Sequence, residues 1–116
     1  MITLKTLEQA TGQEVFDQVA NHMLTQMRKS QQSGGSCAYR GLKGLKCAAG
    51  CLIADDEYNP EFENNTWLNL VQNKKVPSKH LTLIDELQIQ HDATDCHKWK
   101  DGLKDIAESF NLEWKF

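Results

Sequence analysis

The sequence predicts an α+β fold: a mainly helical single domain over residues 1–116, with about four to five helices and a short antiparallel β-hairpin near residues 37–47. Three observations lead to this expectation. Apolar residues recur at helical spacing in long segments towards both ends of the chain. Glycines divide a short stretch near residue 40 as they do in hairpins. The length suits one hydrophobic core, since units of roughly 100 to 150 residues bury most of their apolar surface.

The first helix is predicted to begin after Thr11. The sequence TGQE is a capping box, in which Thr11 and Glu14 can exchange hydrogen bonds between side chain and backbone. Arg28 and Lys29 are expected in the last turn, where cations suit the negative end of the helix dipole. The apolar residues that follow the helical period are Val15, Phe16, Val19, Ala20, Met23, Leu24 and Met27.

Two segments have the pattern of loops or strands. Adjacent glycines in SQQSGGS, residues 30–36, predict a loop. The following CAYRGLKGLKC, residues 37–47, predicts two short strands with a turn between Gly41 and Gly44. Such a hairpin is marginal alone and must pack on a helix or another strand. The opening MITLKTL fits either a third strand or a turn that leads into the first helix.

Three further helices are predicted in the second half of the chain. Thr66 and Ser78 can cap the first two, because hydroxyl groups accept from free N–H groups of a first turn. The last helix is expected to end at Asn111 in the left-handed conformation. The residues expected on the three inner faces are Trp67, Leu70 and Val71; Leu81, Ile84 and Leu87; and Cys96, Trp99, Leu103, Ile106 and Phe110.

The composition is that of an ordinary globular protein, with 40% apolar and 25% charged residues. No stretch approaches the ~20 apolar residues of a membrane span, and no basic region precedes an apolar run, so a cytoplasmic location is expected. A net charge of -3 argues against nucleic acid as a partner. The four cysteines are expected as free thiols in a reducing compartment, and no cofactor is expected.

The segment KCAAGCLI, residues 46–53, places two thiols around the smallest side chains. The favoured interpretation is a tight packing joint, since Ala48, Ala49 and Gly50 let another backbone approach closely. Two alternatives remain open. The catalytic alternative uses Cys47 or Cys51 as nucleophile, with His91 as base and Asp92 as its orienting group. The zinc alternative uses Cys37, Cys47 and Cys51 with a fourth ligand from Cys96 or His97, although the C-x3-C spacing departs from the usual C-x2-C.

A second unusual segment is DDEYNPEFENN, residues 55–65, which concentrates carboxylates around two aromatic residues. A calcium loop is excluded because Pro60 stands where that loop requires glycine. The segment is either a solvated loop or a docking surface for a basic protein, which charge would steer and aromatic anchors would hold. The residues predicted for that surface are Asp55, Asp56, Glu57, Tyr58, Glu61, Phe62 and Glu63. Near the last helix, HDATDCHKW is interpreted as a helix junction capped by Asp92 or Thr94.

The stretch CAYRGLKGLKCAAGCLIADDEY, residues 37–58, has the pattern C-x-Y-R-x4-L/K-K-C-A-x-G-C-L-I-x-D-x-x-Y. With EVFDQVANHMLTQ before it and LQIQHD and WKDGLKDIAESFNL after it, the chain resembles a family of small uncharacterised proteins from bacteria and their phages. The resemblance implies a phage or prophage setting and no mechanism. The positions it covers are Cys37, Tyr39, Arg40, Lys46, Cys47, Ala48, Gly50, Cys51, Leu52, Ile53, Asp55, Tyr58, His91, Asp92 and Trp99.

The expected function is therefore that of a small accessory or regulatory protein that binds another protein through the acidic, aromatic loop. An enzyme of the Cys/His hydrolase or transferase type is the first alternative. A zinc-stapled structural module is the second.

Overall fold

The computed structural model describes residues 1–116 as four α-helices without a β-strand, so the prediction of an α+β fold is wrong. The helices are α1 (Gly12–Gln26), α2 (Trp67–Gln72), α3 (Leu81–Ala93) and α4 (Trp99–Ser109). Short 3-10 helices lie between and before them, at Leu7–Gln9, Leu42–Gly44, Ala49–Leu52, Pro60–Phe62 and Cys96–Lys98.

The β-hairpin predicted near residues 37–47 does not form. The only β-type pairing is an isolated antiparallel bridge between Gln31 and Cys37. The backbone N–H groups of Tyr39 and Arg40 donate to the Glu63 carboxylate, at 2.9 and 3.1 Å. A carboxylate distant in sequence therefore takes the donors that a strand ladder would use, and residues 41–45 close into a 3-10 turn instead.

The N-terminal segment adopts the turn alternative rather than the strand. The backbone N–H groups of Leu4 and Lys5 donate to the two carboxylate oxygens of Glu57, at 2.9 and 3.1 Å. The chain then enters the 3-10 helix Leu7–Gln9, in which Leu7 is fully buried. The same side chain of Glu57 thus fixes the start of the chain against the acidic loop.

The capping box predicted for α1 is confirmed. The Thr11 hydroxyl accepts from the Glu14 N–H at 3.1 Å, and the Glu14 carboxylate accepts from the Thr11 N–H at 2.8 Å. The end of α1 differs from the prediction, because Met27 adopts the left-handed conformation with φ of 49°. Arg28 and Lys29 therefore lie beyond the helix. The early end directs the chain inwards to the buried Ser30.

The other predicted caps have mixed outcomes. Thr66 caps α2, since its hydroxyl accepts from the Asn69 N–H at 3.1 Å. Ser78 does not cap α3; His80 precedes that helix in the left-handed conformation, and its ring lies 2.6 Å from the Ala10 carbonyl oxygen. Asn111 is left-handed after α4, as predicted, with φ of 60°.

The packing-joint interpretation is confirmed for residues 47–50, while Cys51, the last residue of the predicted joint, is only partly buried. Residues 47–50 are buried in the main hydrophobic cluster, where the 3-10 helix Ala49–Leu52 contacts both α1 and α3. A Cβ atom on Gly50 would lie only 2.5 Å from the Tyr39 carbonyl oxygen. The missing side chain is what allows the two backbones to meet.

Candidate functional site

A cleft of about 460 Å³ opens between residues 36–39, residues 64–67 and one side of α3. Tyr39 and Trp67 line it from the core, and both are buried. The α3 side contributes Asp85 and Asp92 together with Ile89, whose side chain is about half exposed, at 51%. The cleft is the natural candidate site because acidic and apolar side chains converge there.

One end of the cleft adjoins a cluster of Cys37, His91 and Asp92. One sulfur, nitrogen or oxygen atom from each of the three lies within 4.8 Å of the others. His91 is fully buried, and its ring stacks on Trp99 with centroids 5.2 Å apart. The structure thus brings His91 and Asp92 to a thiol, as the catalytic alternative requires. The thiol is that of Cys37, which the sequence suggested only as a metal ligand, and not that of Cys47 or Cys51.

The hydrogen-bond partners of His91 indicate which ring nitrogen carries the proton in the neutral ring. The backbone N–H of Ser30 donates to Nε2 at 3.2 Å, and Nδ1 lies 2.7 Å from Asp92 Oδ1. An amide N–H can only donate, so Nε2 carries the lone pair and Nδ1 carries the proton. Both ring nitrogens are therefore occupied, and His91 has no free lone pair with which to act as a base. The sequence suggested that Asp92 caps the following helix. It does not, because its carboxylate accepts a hydrogen bond from the His91 ring instead.

The thiols near the cleft are held in the protonated form. Burial, followed by the interaction with Asp92, raises the pKa of Cys37 to about 11. Burial also raises the pKa of Cys51 to about 12, and it raises that of Cys47 further above its usual range. Because the thiolate is the reactive form of cysteine, none of these three is an activated nucleophile at neutral pH.

The four cysteines do not come together as a zinc site. The only group of three possible ligands is Cys37, His91 and Asp92, while Cys47, Cys51 and Cys96 lie outside it. A metal ion on His91 Nδ1 would require the proton to move to Nε2, where it would face the Ser30 N–H. The donor set therefore does not fit a metal ion in this arrangement.

Four residues of the predicted docking surface instead hold the loop together. Phe62 is 95% buried and packs edge-on against Tyr58, with ring centroids 6.2 Å apart, so it is not an exposed anchor. Glu57 accepts N–H groups from the N-terminal turn and from Ala54. Glu63 accepts from the Tyr58 hydroxyl and from the backbone N–H groups of Tyr39 and Arg40. These side chains are committed to the fold.

The remaining three residues, Asp55, Asp56 and Glu61, are exposed. Asp55 lies 3.2 Å from Arg40 and 3.6 Å from Lys46, with 85% of its side chain in solvent. The carboxylates of Asp56 and Glu61 have no hydrogen-bond or ion-pair partner in the chain. The exposed acidic surface is therefore smaller than predicted and consists of these three residues.

Sequence reasoning missed the structural roles of two residues that matter here. Arg40 donates to the carbonyl oxygens of Gly50 and Ile53, at 2.9 and 2.6 Å, and lies over the Tyr58 ring. Its place in the C-x-Y-R pattern was the only available indication. Asp85 shares one side of α3 with Asp92, two turns away, a spacing that the helical period could have revealed.

Replacement of Asp92 by Asn is expected to destabilise the protein by about 1–3 kcal/mol at pH 7, because the buried His91 loses a charged acceptor. Burial raises the pKa of Asp92, but hydrogen bonds from His91, Gln88 and Cys37 outweigh it and lower the pKa below 3.8. This contribution to stability is therefore complete above about pH 4 and is lost as the pH falls through the lower folded-state value. Urea titrations at several pH values should show a weaker acid dependence for Asp92→Asn. Asp95→Asn, at an exposed residue, is the matched control; equal acid dependence in both variants would contradict the assignment.

The cleft thus contains a protonated thiol and two carboxylates, and the histidine behind it has both ring nitrogens bonded. This set is suited to binding a ligand, whereas a Cys/His mechanism would need an activated thiol or a free imidazole nitrogen. The chain matches no protein-family model, no curated protein and no solved structure.

Proposed function

We propose that this chain is a small accessory protein that binds a basic protein partner through the acidic surface of Asp55, Asp56 and Glu61. The observation that carries the proposal is that Asp56 and Glu61 are exposed and their carboxylates have no partner within the chain. Unpaired carboxylates on one short segment attract cationic surfaces and increase the rate of association.

The backbone beneath this surface is held in place before any partner binds. Glu57 bonds the loop to the N-terminal turn, and Glu63 bonds it to residues 39 and 40. Arg40 reaches the same loop through Ile53 and Asp55. A segment that is already ordered loses less conformational entropy on binding, which favours its use as a docking surface.

The setting of this function also remains a proposal. The resemblance to small bacterial and phage proteins supports a phage or prophage role, and a cytoplasmic location is consistent with it. None of the four helices has both the length and the apolar character that crossing a bilayer requires. Among the alternatives, a Cys/His enzyme and a zinc-stapled module draw no support from the hydrogen bonds of His91 or the protonated thiols.

The proposal is tested by capture from a bacterial lysate on the immobilised full chain. We expect the captured proteins to be basic, and their recovery to fall about tenfold or more for Asp56→Lys/Glu61→Lys, which reverses two exposed charges. Recovery should also fall as salt is added, because exposed charges are screened.

The matched control is Asp105→Lys/Glu108→Lys, which makes the same charge change at exposed positions of α4. Circular dichroism should show that both variants fold. Retention of the same proteins by the wild type and by both variants would refute the proposed surface.

A further inference from the structure

The cleft carries negative charge without a compensating cation in its lining. None of its thirteen lining residues is lysine, arginine or histidine, whereas Asp85 and Asp92 both line it. Asp92 is already engaged by His91 and Gln88, and Lys29 binds its backbone carbonyl oxygen from outside the lining. The Asp85 carboxylate makes no hydrogen bond or ion pair with any part of the chain. The free anionic group of the cleft is therefore Asp85.

The two carboxylates are spaced for an extended ligand. They lie seven residues apart on α3, which corresponds to two helical turns and about 10 Å along the axis. Ile89 lies between them in the chain and is about half exposed, at 51%. An aliphatic stem that ends in a cation can pack on such an apolar side chain and place its charged group at a carboxylate.

Trp67 supplies an observation that does not depend on charge. It lines the cleft and is fully buried, yet its Nε1 is the only buried side-chain polar atom without a hydrogen-bond partner. By contrast, the indole N–H of Trp99 donates to the Thr94 carbonyl oxygen at 3.0 Å. The Trp67 N–H exposes less than 1 Å², so a ligand oxygen reaches it only when the cleft lining shifts, and it then forms a hydrogen bond that the chain does not supply.

We infer that the cleft binds a short basic peptide segment, with a lysine or arginine side chain at Asp85 and a backbone carbonyl oxygen at the Trp67 indole N–H. A simple amine offers the cation but no acceptor, whereas a peptide offers both. The inference rests on the proposed function, since it names the part of the basic partner that enters the cleft. The cleft adjoins the acidic loop, because Asn64 and Asn65, the last two residues of the segment 55–65, line it.

The test is an NMR titration of the ¹⁵N-labelled full chain with the peptide acetyl-Lys-Gly-Lys-amide. The three tryptophans give three indole N–H signals, which Trp99→Phe and Trp114→Phe variants assign. We expect a saturable downfield shift of the Trp67 signal, as a new hydrogen bond produces, while the Trp99 signal stays in place. Acetyl-Glu-Gly-Glu-amide should produce no shift.

Asp85→Asn should weaken peptide binding about tenfold or more, whereas Asp101→Asn, at an exposed position of α4, should leave it unchanged. Since Asp85 has no partner in the chain, the variant should fold, as its amide spectrum will show. An unmoved Trp67 signal, equal binding by Asp85→Asn, or the same Trp67 shift with n-butylamine would each overturn the inference.

The two proposals can fail separately. Lysate capture that depends on Asp56 and Glu61, together with an unmoved Trp67 signal, would leave the acidic surface standing and refute the cleft site. Peptide binding that depends on Asp85, together with lysate capture that is the same for Asp56→Lys/Glu61→Lys and wild type, would refute the acidic surface and support the cleft site.

Discussion

Replacement of Gly50 by Ala is expected to lower the free energy of unfolding by about 2–3 kcal/mol, and replacement by Leu by more. The added Cβ would lie 2.5 Å from the Tyr39 carbonyl oxygen and 3.3 Å from the Cys47 sulfur. The first of these contacts is with backbone, so it cannot be relieved by a side-chain rotation. Residues 39 and 50 would have to move apart, and the buried segment between α1 and α3 would lose its close packing.

Gly34→Ala makes the same chemical change where a Cβ meets nothing within 4 Å. It should leave the protein as stable as the wild type or more stable by up to about 1 kcal/mol, because alanine restricts the unfolded chain. Urea denaturation of the two variants measures the difference directly. Equal midpoints for Gly50→Ala and Gly34→Ala would show that the joint is not close-packed.

Arg40→Ala is expected to be the second strongly destabilising substitution, with a loss of about 3–4 kcal/mol. Only 18% of the Arg40 side chain is exposed, and its guanidinium donates to the carbonyl oxygens of Gly50 and Ile53 at 2.9 and 2.6 Å. It also lies 5.1 Å from the centre of the Tyr58 ring. Removal of the side chain would leave two carbonyl oxygens at the end of a buried 3-10 helix without these donors, and hydrogen bonds from charged donors are the stronger kind.

Three further variants identify the cause of the Arg40 effect. Arg28→Ala removes an exposed arginine and should change stability by less than about 0.5 kcal/mol. Asp55→Asn should be similarly mild, because its pair with Arg40 is largely in solvent. Arg40→Lys should recover only part of the loss, since an ammonium group cannot reproduce the planar fork. The carbonyl contacts would be excluded as the cause if Arg40→Ala lost little stability. They would also be excluded if Asp55→Asn lost as much stability as Arg40→Ala.

The carboxylate of Asp92 interacts with both the Cys37 thiol and the His91 imidazole, and this arrangement explains why the thiol is not activated. A Cys/His pair is activated when the imidazole takes the proton of the thiol. Here Asp92 accepts from His91, and burial together with Asp92 raises the pKa of Cys37, so the charge is kept on the carboxylate. The cluster therefore fixes the junction of residues 30–37 with α3, and Asp92 presents its exposed side to the cleft.

The helices and the packing joint could be predicted because their causes are local in sequence. The capping box of Thr11 and Glu14 and the apolar period that follows it define α1 within a few residues. The run from Cys47 to Gly50 permits close approach in any fold that buries it. The hairpin prediction failed because Glu63, over twenty residues away, takes the N–H groups of Tyr39 and Arg40.

The candidate site was only partly predictable for the same reason. His91 and Asp92 are adjacent in sequence, and their possible pairing was expected. The approach of Cys37 to His91 joins residues 54 apart in the chain (91 − 37), and the hydrogen bond from Ser30 to His91 Nε2 joins residues 61 apart. The burial of Phe62 depends on the core as a whole. No periodicity or motif reports such contacts, because the folded chain creates them.

The sequence by itself determined where α1 and α4 lie, which side of each is buried, and that tiny side chains near residue 50 allow two backbones to meet. Only the tertiary structure decided that Glu57, Glu63 and Arg40 hold the acidic loop and that the thiols of Cys37, Cys47 and Cys51 stay protonated. It also decided that Asp85 and Trp67 line the same cleft, with the Asp85 carboxylate and the Trp67 N–H unpartnered. The physical reason is that helix formation and capping act within a few residues. The ionisation of a group and its hydrogen-bond partners depend on everything that surrounds it in space.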